Sequence, residues 1–325
     1  MGGPDSPDAV RPFLFNLFSD RDIIRLGPGF MQRPIAWFIA RKRAPKSRAN
    51  YEKIGGRTPL LDITRKQASG VQERLIARGF HDVRCLPAMR YWHPRTPRIL
   101  YDLKEHGIDT VLGVTLYPHY SRATTGSSMK EFIECAEALE MKADVVESYP
   151  DHEGYVAALA STVNEAVEKL VSSGRIRPEE ASDPSGDFAL VYSAHSLPRS
   201  FIQDGDPYVD HLERTISALE SVTGIKGHLC FQSRSGPVQW LEPGTDTMLE
   251  ELASKHGKKT VLVVPISFVS DHIETLYEID MLYRDMMLDR GVHLYRTPAL
   301  NDRPDFLDAL ADLCEARLSE DGIVK

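Results

Sequence analysis

Two segments of this chain carry residue types that move protons and hold metals. V-Y-S-A-H-S-L-P (191–198) closes an apolar β-like run on His195, and V-P-I-S-F-V-S-D-H-I-E-T-L-Y-E-I-D (264–280) leads to Asp271, His272, Glu274 and Glu278. An imidazole and carboxylates delivered at strand ends can abstract protons or handle a metal ion. Glu274 and Glu278 stand four apart, so a helix starting near Asp271 puts both on one face. Like charges there repel unless they are solvated or bridged by a proton or cation. Plainer readings stand beside this one: a solvated acidic helix face, an N-cap pair at Asp271 and His272, and a structural histidine at 195.

The elements that must position these groups alternate. β-branched runs at 110–115, 188–192, 227–231 and 260–264 predict strands, with weaker ones at 81–86, 142–147 and 292–295. Between them lie helical stripes, such as Val156, Leu159, Val163, Val167 and Leu170 within 151–173. A helix opened by Asp206 and Pro207 has Leu212, Ile216, Leu219 and Val222 as its predicted buried face. Strands alternating with helices predict parallel sheet covered on both sides. In such sheets ligands sit beyond the carboxyl ends of the strands. His195, Gln232, the group at 271–274 and Pro118–His119–Tyr120 all follow predicted strands.

At 325 residues the chain accommodates two domains, divided near Tyr149 and Pro150, with 172–186 as a long polar loop inside the second. Hydrophobic content of 42% and charged content of 26% are those of a globular protein, and no run approaches the roughly 20 apolar residues of a membrane span. No signal peptide is visible, so a cytoplasmic location is expected. A net charge of −8 argues against nucleic acid as a partner. Cys85, Cys135, Cys230 and Cys314 lie far apart without C-x-x-C spacing, which supports neither a zinc nor an iron–sulfur site. Trp37, Phe30, Met31 and Phe38 beside Arg41, Lys42, Arg43 and Lys46 suggest an apolar lip with a basic rim, for a flat acidic ligand or a membrane surface; core residues next to a solvated charge run are the other reading.

Taken together, the motifs resemble those of the ferrochelatase family. They are M-G-G-P (1–4), F-S-D-R-D-I-I (18–24), Y-E-K-I-G-G-R-T-P-L (51–60), M-R-Y-W-H-P (89–94), Y-S-R-A-T-T-G-S-S (120–128), S-A-H-S-L-P (193–198), G-D-P-Y (205–208), Q-S-R-S-G-P-V-Q-W-L (232–241) and S-D-H-I-E-T-L-Y-E-I-D (270–280). The resemblance implies an α/β protein of two Rossmann-like domains, 1–149 and 150–300. Each would hold a four-stranded parallel sheet, with an active cleft between them and a C-terminal helix at 301–320 packing back on the first. It also implies that M-G-G-P follows a first strand absent from this sequence.

The family's activity is insertion of Fe²⁺ into a porphyrin, so iron and porphyrin are the expected partners. By resemblance His195 is the catalytic histidine and Glu274 its partner carboxylate, both able to meet the metal. Glu278, Asp271 and His272 would lie on a proton or metal path. Met1, Arg43, Tyr51, Thr58, Arg90, Tyr91, Tyr120, Trp240 and Phe268 would contact porphyrin. Met1 and the apolar lips at 13–18 and 30–38 favour protoporphyrin over coproporphyrin, and the lips also suit peripheral contact with the inner membrane. Arg122 stands where cluster-bearing members place a cysteine, so no iron–sulfur cluster and no tightly bound cofactor are expected, and the chain is expected to be a monomer or weak dimer. A chelatase for another tetrapyrrole and a porphyrin- or haem-binding protein without turnover are the alternatives. A nucleotide-binding Rossmann protein ranks last, because no G-x-G-x-x-G follows a predicted strand.

Overall fold

A computed structural model describes all residues except 235, 237 and 321–325; the predicted loop at 232–240 therefore lies partly outside the described residues. The chain forms two compact units, one from Met1 to Tyr149 with the segment starting at Asn301, the other Pro150–Leu300.

In the second unit the β-branched runs become strands. Two others, β1 and β2, belong to the first unit, so these are β3 (Phe188–His195), β4 (Gly227–Gln232), β5 (Thr260–Val264) and β6 (His293–Arg296). They pair in parallel in the order β4-β3-β5-β6. β3 and β5 are central and covered on both faces, which is why F-A-L-V-Y and T-V-L-V-V read as continuous apolar runs. Val191, Val261, Val263, Leu249, Leu252, Ile279 and Met287 form one buried cluster against the sheet. The helix Glu153–Ser172 buries Val156, Leu159, Val163 and Leu170 as its stripe predicts. In the helix Tyr208–Thr223, Leu212 and Leu219 are buried but Val222 is exposed, since the last turn leaves the packed surface. Asp206 caps that helix's start, its Oδ1 accepting from the Tyr208 N–H at 3.1 Å.

Register brings the chemistry together: His195 pairs directly with Gln232 at the carboxyl ends of β3 and β4. Tight packing at the other end sets that register. A Cβ on Gly227 would lie 2.6 Å from Cε2 of Tyr192 and 3.1 Å from the Leu190 carbonyl. Gly227→Ala is expected to destabilise the protein by about 1–3 kcal/mol, read by urea unfolding, because the Tyr192 ring is enclosed.

The first unit holds β1 (Thr110–Val114) and β2 (Lys142–Val146), paired in parallel. The α/β class with helix-flanked parallel sheets holds, but the expectation here of a four-stranded sheet without its first strand, three strands in all, is corrected to two among the described residues. Segment 81–86 joins no sheet: most of its side chains are exposed, and the Cys85 N–H donates to Oε1 of Gln72 at 2.9 Å instead of to a ladder. The helix Pro304–Glu320 packs on Leu60–Ala77, where a Cβ at Gly70 would meet Leu307 at 2.5 Å and Arg78 reaches Asp312 at 2.7 Å. The stretch read as a lip is a long helix, Gln32–Lys53, and Phe30, Trp37 and Phe38 stand exposed on it or just before it. Among the described residues no helix is long and apolar enough to cross a membrane.

Candidate active site

The site of the second unit is built where β3, β4 and β5 end. After β5 the chain turns through Phe268 and Asp271 into a ten-residue π-helix, Glu274–Tyr283, rather than the α-helix expected. π-Helical turns are rare and concentrate at functional sites. Here Glu274 sits at the first position, where its backbone carbonyl accepts from Nε2 of Gln232 at 2.9 Å.

Glu274 lies between two imidazoles. Its Oε1 is 3.7 Å from Nε2 of His195, and its Oε2 is 3.6 Å from Nε2 of His272. Both separations exceed a hydrogen bond, and Oε2 is buried without a hydrogen-bond partner. The tautomers follow from the other ring nitrogens. Nδ1 of His195 faces the Ser196 carbonyl at 2.6 Å and Nδ1 of His272 faces that of Ser270 at 3.0 Å. A carbonyl only accepts, so each Nδ1 carries the hydrogen, and in the neutral rings both Nε2 lone pairs point at the carboxylate. Acceptors then face an acceptor, an arrangement that calls for a proton or a cation between them. A divalent ion with ligands at about 2.1 Å would span the His195–Glu274 pair at an angle of roughly 120°.

The surroundings hold these groups in place. The His195 backbone N–H donates to Ser267 at 2.9 Å, and its carbonyl accepts from the Tyr208 hydroxyl at 3.0 Å. The Phe268 ring packs edge-on between the two imidazoles, 4.5 Å from His272 and 6.4 Å from His195. Behind Glu274, Oε2 of Glu278 accepts from Ser233 at 2.8 Å and from Gln232 at 3.3 Å. Ser193 donates to Oε1 of Gln232 at 2.6 Å and lies 2.9 Å from the Thr245 hydroxyl. Ser233 has φ of +65°, a strained backbone position that places its hydroxyl on Glu278.

The two glutamates differ in charge state. Burial pushes Glu274 up, but the charge that the two imidazoles carry when protonated, together with the Ser233 hydroxyl, outweighs it and holds the carboxyl at about 2. Burial and the charge on Glu274 raise Glu278 from 4.5 to about 7. One site is therefore a fixed anion and the other exchanges a proton near neutrality, which is the division of labour of a proton-and-cation site. Glu278, with its raised value, contributes stability fully below about pH 4.5, and that contribution is lost as pH rises through about 7. Glu278→Gln is expected to abolish that loss, so the gap between variant and wild-type urea stability widens from pH 4.5 to 7. Parallel curves would contradict the raised value.

Asp271 stands apart from the cluster. It pairs with Arg296 at 3.0 Å, and Arg296 also grips Asp280 at 2.7 and 2.8 Å. Asp271 further accepts from Thr275, whose hydroxyl oxygen accepts the His272 N–H. One guanidinium thus ties the approach to the π-helix to its seventh residue, with Asp271 anchoring the helix. Trp240 is half-buried, with an indole N–H that has no partner.

In the first unit, Tyr51 and Thr58 are buried and Tyr120 is half-buried. Arg43 is exposed, with its guanidinium 5.3 Å from the Phe18 ring centre. The Met1 carbonyl accepts the Tyr91 N–H at 2.9 Å. Arg90 has every edge engaged: Ser127 at 3.0 Å, Glu131 at 2.6 Å and Asp20 at 2.9 Å. The Tyr91 hydroxyl also donates to Asp20, at 2.7 Å. These contacts use three of the five N–H donors of Arg90 and fix the orientation of both side chains. Sequence reasoning missed Ser193, Ser233, Thr245, Tyr208, Ser267 and Arg296; only Ser193 carried a local signal, two residues from His195.

Among the described residues no three His, Cys, Asp or Glu side chains are grouped to hold a metal ion. A parallel α/β sheet here ends in an imidazole–carboxylate cluster, with Glu278 behind it. Residues 1–318 match the family model described as ferrochelatase. Ferrochelatases of Desulfotalea psychrophila and Geotalea uraniireducens are each 46% identical, covering 96% and 99% of this chain and 93% and 97% of their own. That of Thermosynechococcus vestitus is 40% identical over 98% of this chain and 81% of its own. The chain belongs to the ferrochelatase family. The solved structure of SirB from Bacillus subtilis with Fe³⁺ shares the fold, with a TM-score of 0.53 at 14% identity over 79% of this chain and 91% of that one.

Proposed function

We propose that this protein inserts Fe²⁺ into protoporphyrin IX to give protohaem, the last step of haem synthesis. The observation that carries the reading is Glu274 set between Nε2 of His195 and Nε2 of His272, an imidazole–carboxylate group able to take a proton or a cation. Metallation releases two pyrrole protons for each iron taken up. Neutral His195 accepts a pyrrole proton at Nε2 or meets the iron there, and Glu274 balances the resulting positive charge. Glu278, about half ionised near pH 7, takes up protons through Ser233 and Gln232 and returns them to solvent. With only two protein ligands, the iron keeps positions open for pyrrole nitrogens, which suits cargo better than a resident ion.

Binding energy from the rest of the macrocycle would bend the ring and expose its in-plane lone pairs. Phe268 and Trp240 offer flat surfaces with one free indole N–H, and Arg43, Tyr51, Thr58 and Tyr120 supply polar contacts for propionates. Met1 and the exposed Phe30, Met31, Trp37 and Phe38 favour a porphyrin with apolar edges, and the same side chains with Arg41 and Lys42 suit peripheral contact of a cytoplasmic protein with an anionic membrane surface. Anaerobic insertion assays with protoporphyrin IX and coproporphyrin III offered separately test the substrate. Protoporphyrin is expected to react at least tenfold faster in kcat/KM; the reverse order would make this a coproporphyrin enzyme, and tight binding without metallation of either would make it a binding protein.

A further inference from the structure

The helix Val10–Ser19 turns its apolar stripe (Val10, Phe13, Leu14, Leu17, Phe18) one way, and its other face borders a polar cavity of about 330 Å³ inside the first unit. Four arginines line it: Arg21, Arg33, Arg90 and Arg95, with Asn16 and Ser19 between them. Each guanidinium is oriented by a contact of its own. Arg21 donates to the Gly27 carbonyl at 3.0 Å, and Arg33 stacks 5.2 Å from the Phe15 ring centre. Arg90 and Arg95 share Oε1 of Glu131 at 2.6 and 3.4 Å. The Nε–H of Arg95 is buried without a partner. Asp20, the cavity's one acid, is saturated by Ser127 at 2.5 Å, Tyr91 at 2.7 Å, Arg90 at 2.9 Å and the Asp22 N–H at 2.8 Å. Four guanidinium charges against the carboxylates of Asp20 and Glu131 leave two positive charges unanswered.

We infer that this cavity is a binding site for a phosphate-class dianion, carried by a small molecule or by a lipid headgroup. Guanidinium forks held from different sides match the several oxygens of a phosphate, and the volume leaves room for an organic remainder beside it. None of this depends on the imidazole–carboxylate cluster of the second unit, and Arg33 and Arg95 take no part in that chemistry.

The test uses the full chain and inorganic pyrophosphate, titrated calorimetrically at low salt. Saturable binding is expected, weakened about tenfold or more in Arg33→Ala/Arg95→Ala, as befits loss of charge-assisted hydrogen bonds. Lys53→Gln, a change of equal sign at the far end of the same helix, is expected to leave binding intact. Arg33→Gln alone, at an exposed side chain, gives the same direction if the double variant is poorly folded. A second arm measures flotation with phosphatidylcholine vesicles with and without phosphatidic acid. Loss confined to the vesicle arm supports the site with a headgroup as its occupant. No binding in either arm, or equal binding by wild type and the cavity variants in both arms, overturns it.

Discussion

His195→Ala is expected to lower the iron-insertion rate by about 10²–10⁴-fold, the range of a lost general base, while porphyrin still binds. The ring ends β3, with Nδ1 locked on the Ser196 carbonyl and Nε2 aimed at Glu274. Its backbone anchors, Ser267 and Tyr208, hold the main chain and survive truncation of the side chain. Porphyrin affinity, read from the shift of its main absorption band on titration, should change by less than about threefold, since the ring is one of several surfaces the macrocycle would meet. Equal loss of binding and turnover would make His195 a packing residue and remove it from the chemistry.

The largest effect on stability is expected from Arg296→Met. The side chain is one-tenth exposed and answers two carboxylates, Asp271 and Asp280. Removing one member of a buried ionic group strands the others, at a cost of about 3–5 kcal/mol. Urea unfolding measures the loss, and hydrogen exchange should quicken across 271–283, because the clamp joins the approach to the π-helix to its body. Arg296→Lys should recover only part, since a compact ammonium cannot fork between two acids as a guanidinium does. A variant with wild-type stability would show that the π-helix holds its register without the clamp.

Much of the second unit was legible in the sequence because its central strands are buried on both faces and therefore written in β-branched residues, as in T-V-L-V-V. His195 and Gln232 were each legible at a strand end, though not their pairing, and the imidazole and the acidic run announced their chemistry by residue type. Segment 81–86 misled because Val83, Cys85 and Leu86 alternate with polar residues as an edge strand would, while pairing depends on a neighbour that no local pattern records. Nothing in E-T-L-Y-E-I-D distinguishes an i→i+5 ladder from an α-helix, since both place Glu274 and Glu278 on one side. Arg296 was invisible for a related reason: it stands alone at the end of a weak strand, 16 residues from one partner and 25 from the other. The motif resemblance supplied Arg90 and Tyr91 as ligand contacts; that Asp20, Glu131 and Ser127 orient them is visible only in three dimensions.

The most direct test is a single-turnover, anaerobic stopped-flow mixing of Fe²⁺ with the protein–protoporphyrin complex, comparing wild type with Glu274→Gln. Glutamine keeps the size of the side chain and removes its charge, so the two Nε2 lone pairs lose the anion they face. The account predicts prompt formation of the haem spectrum in wild type and a fall of at least about 10²-fold in the variant, with porphyrin binding unchanged. Metallation at equal rates in both proteins would contradict it, because the cluster at the end of the sheet would then have no part in moving the iron or the protons.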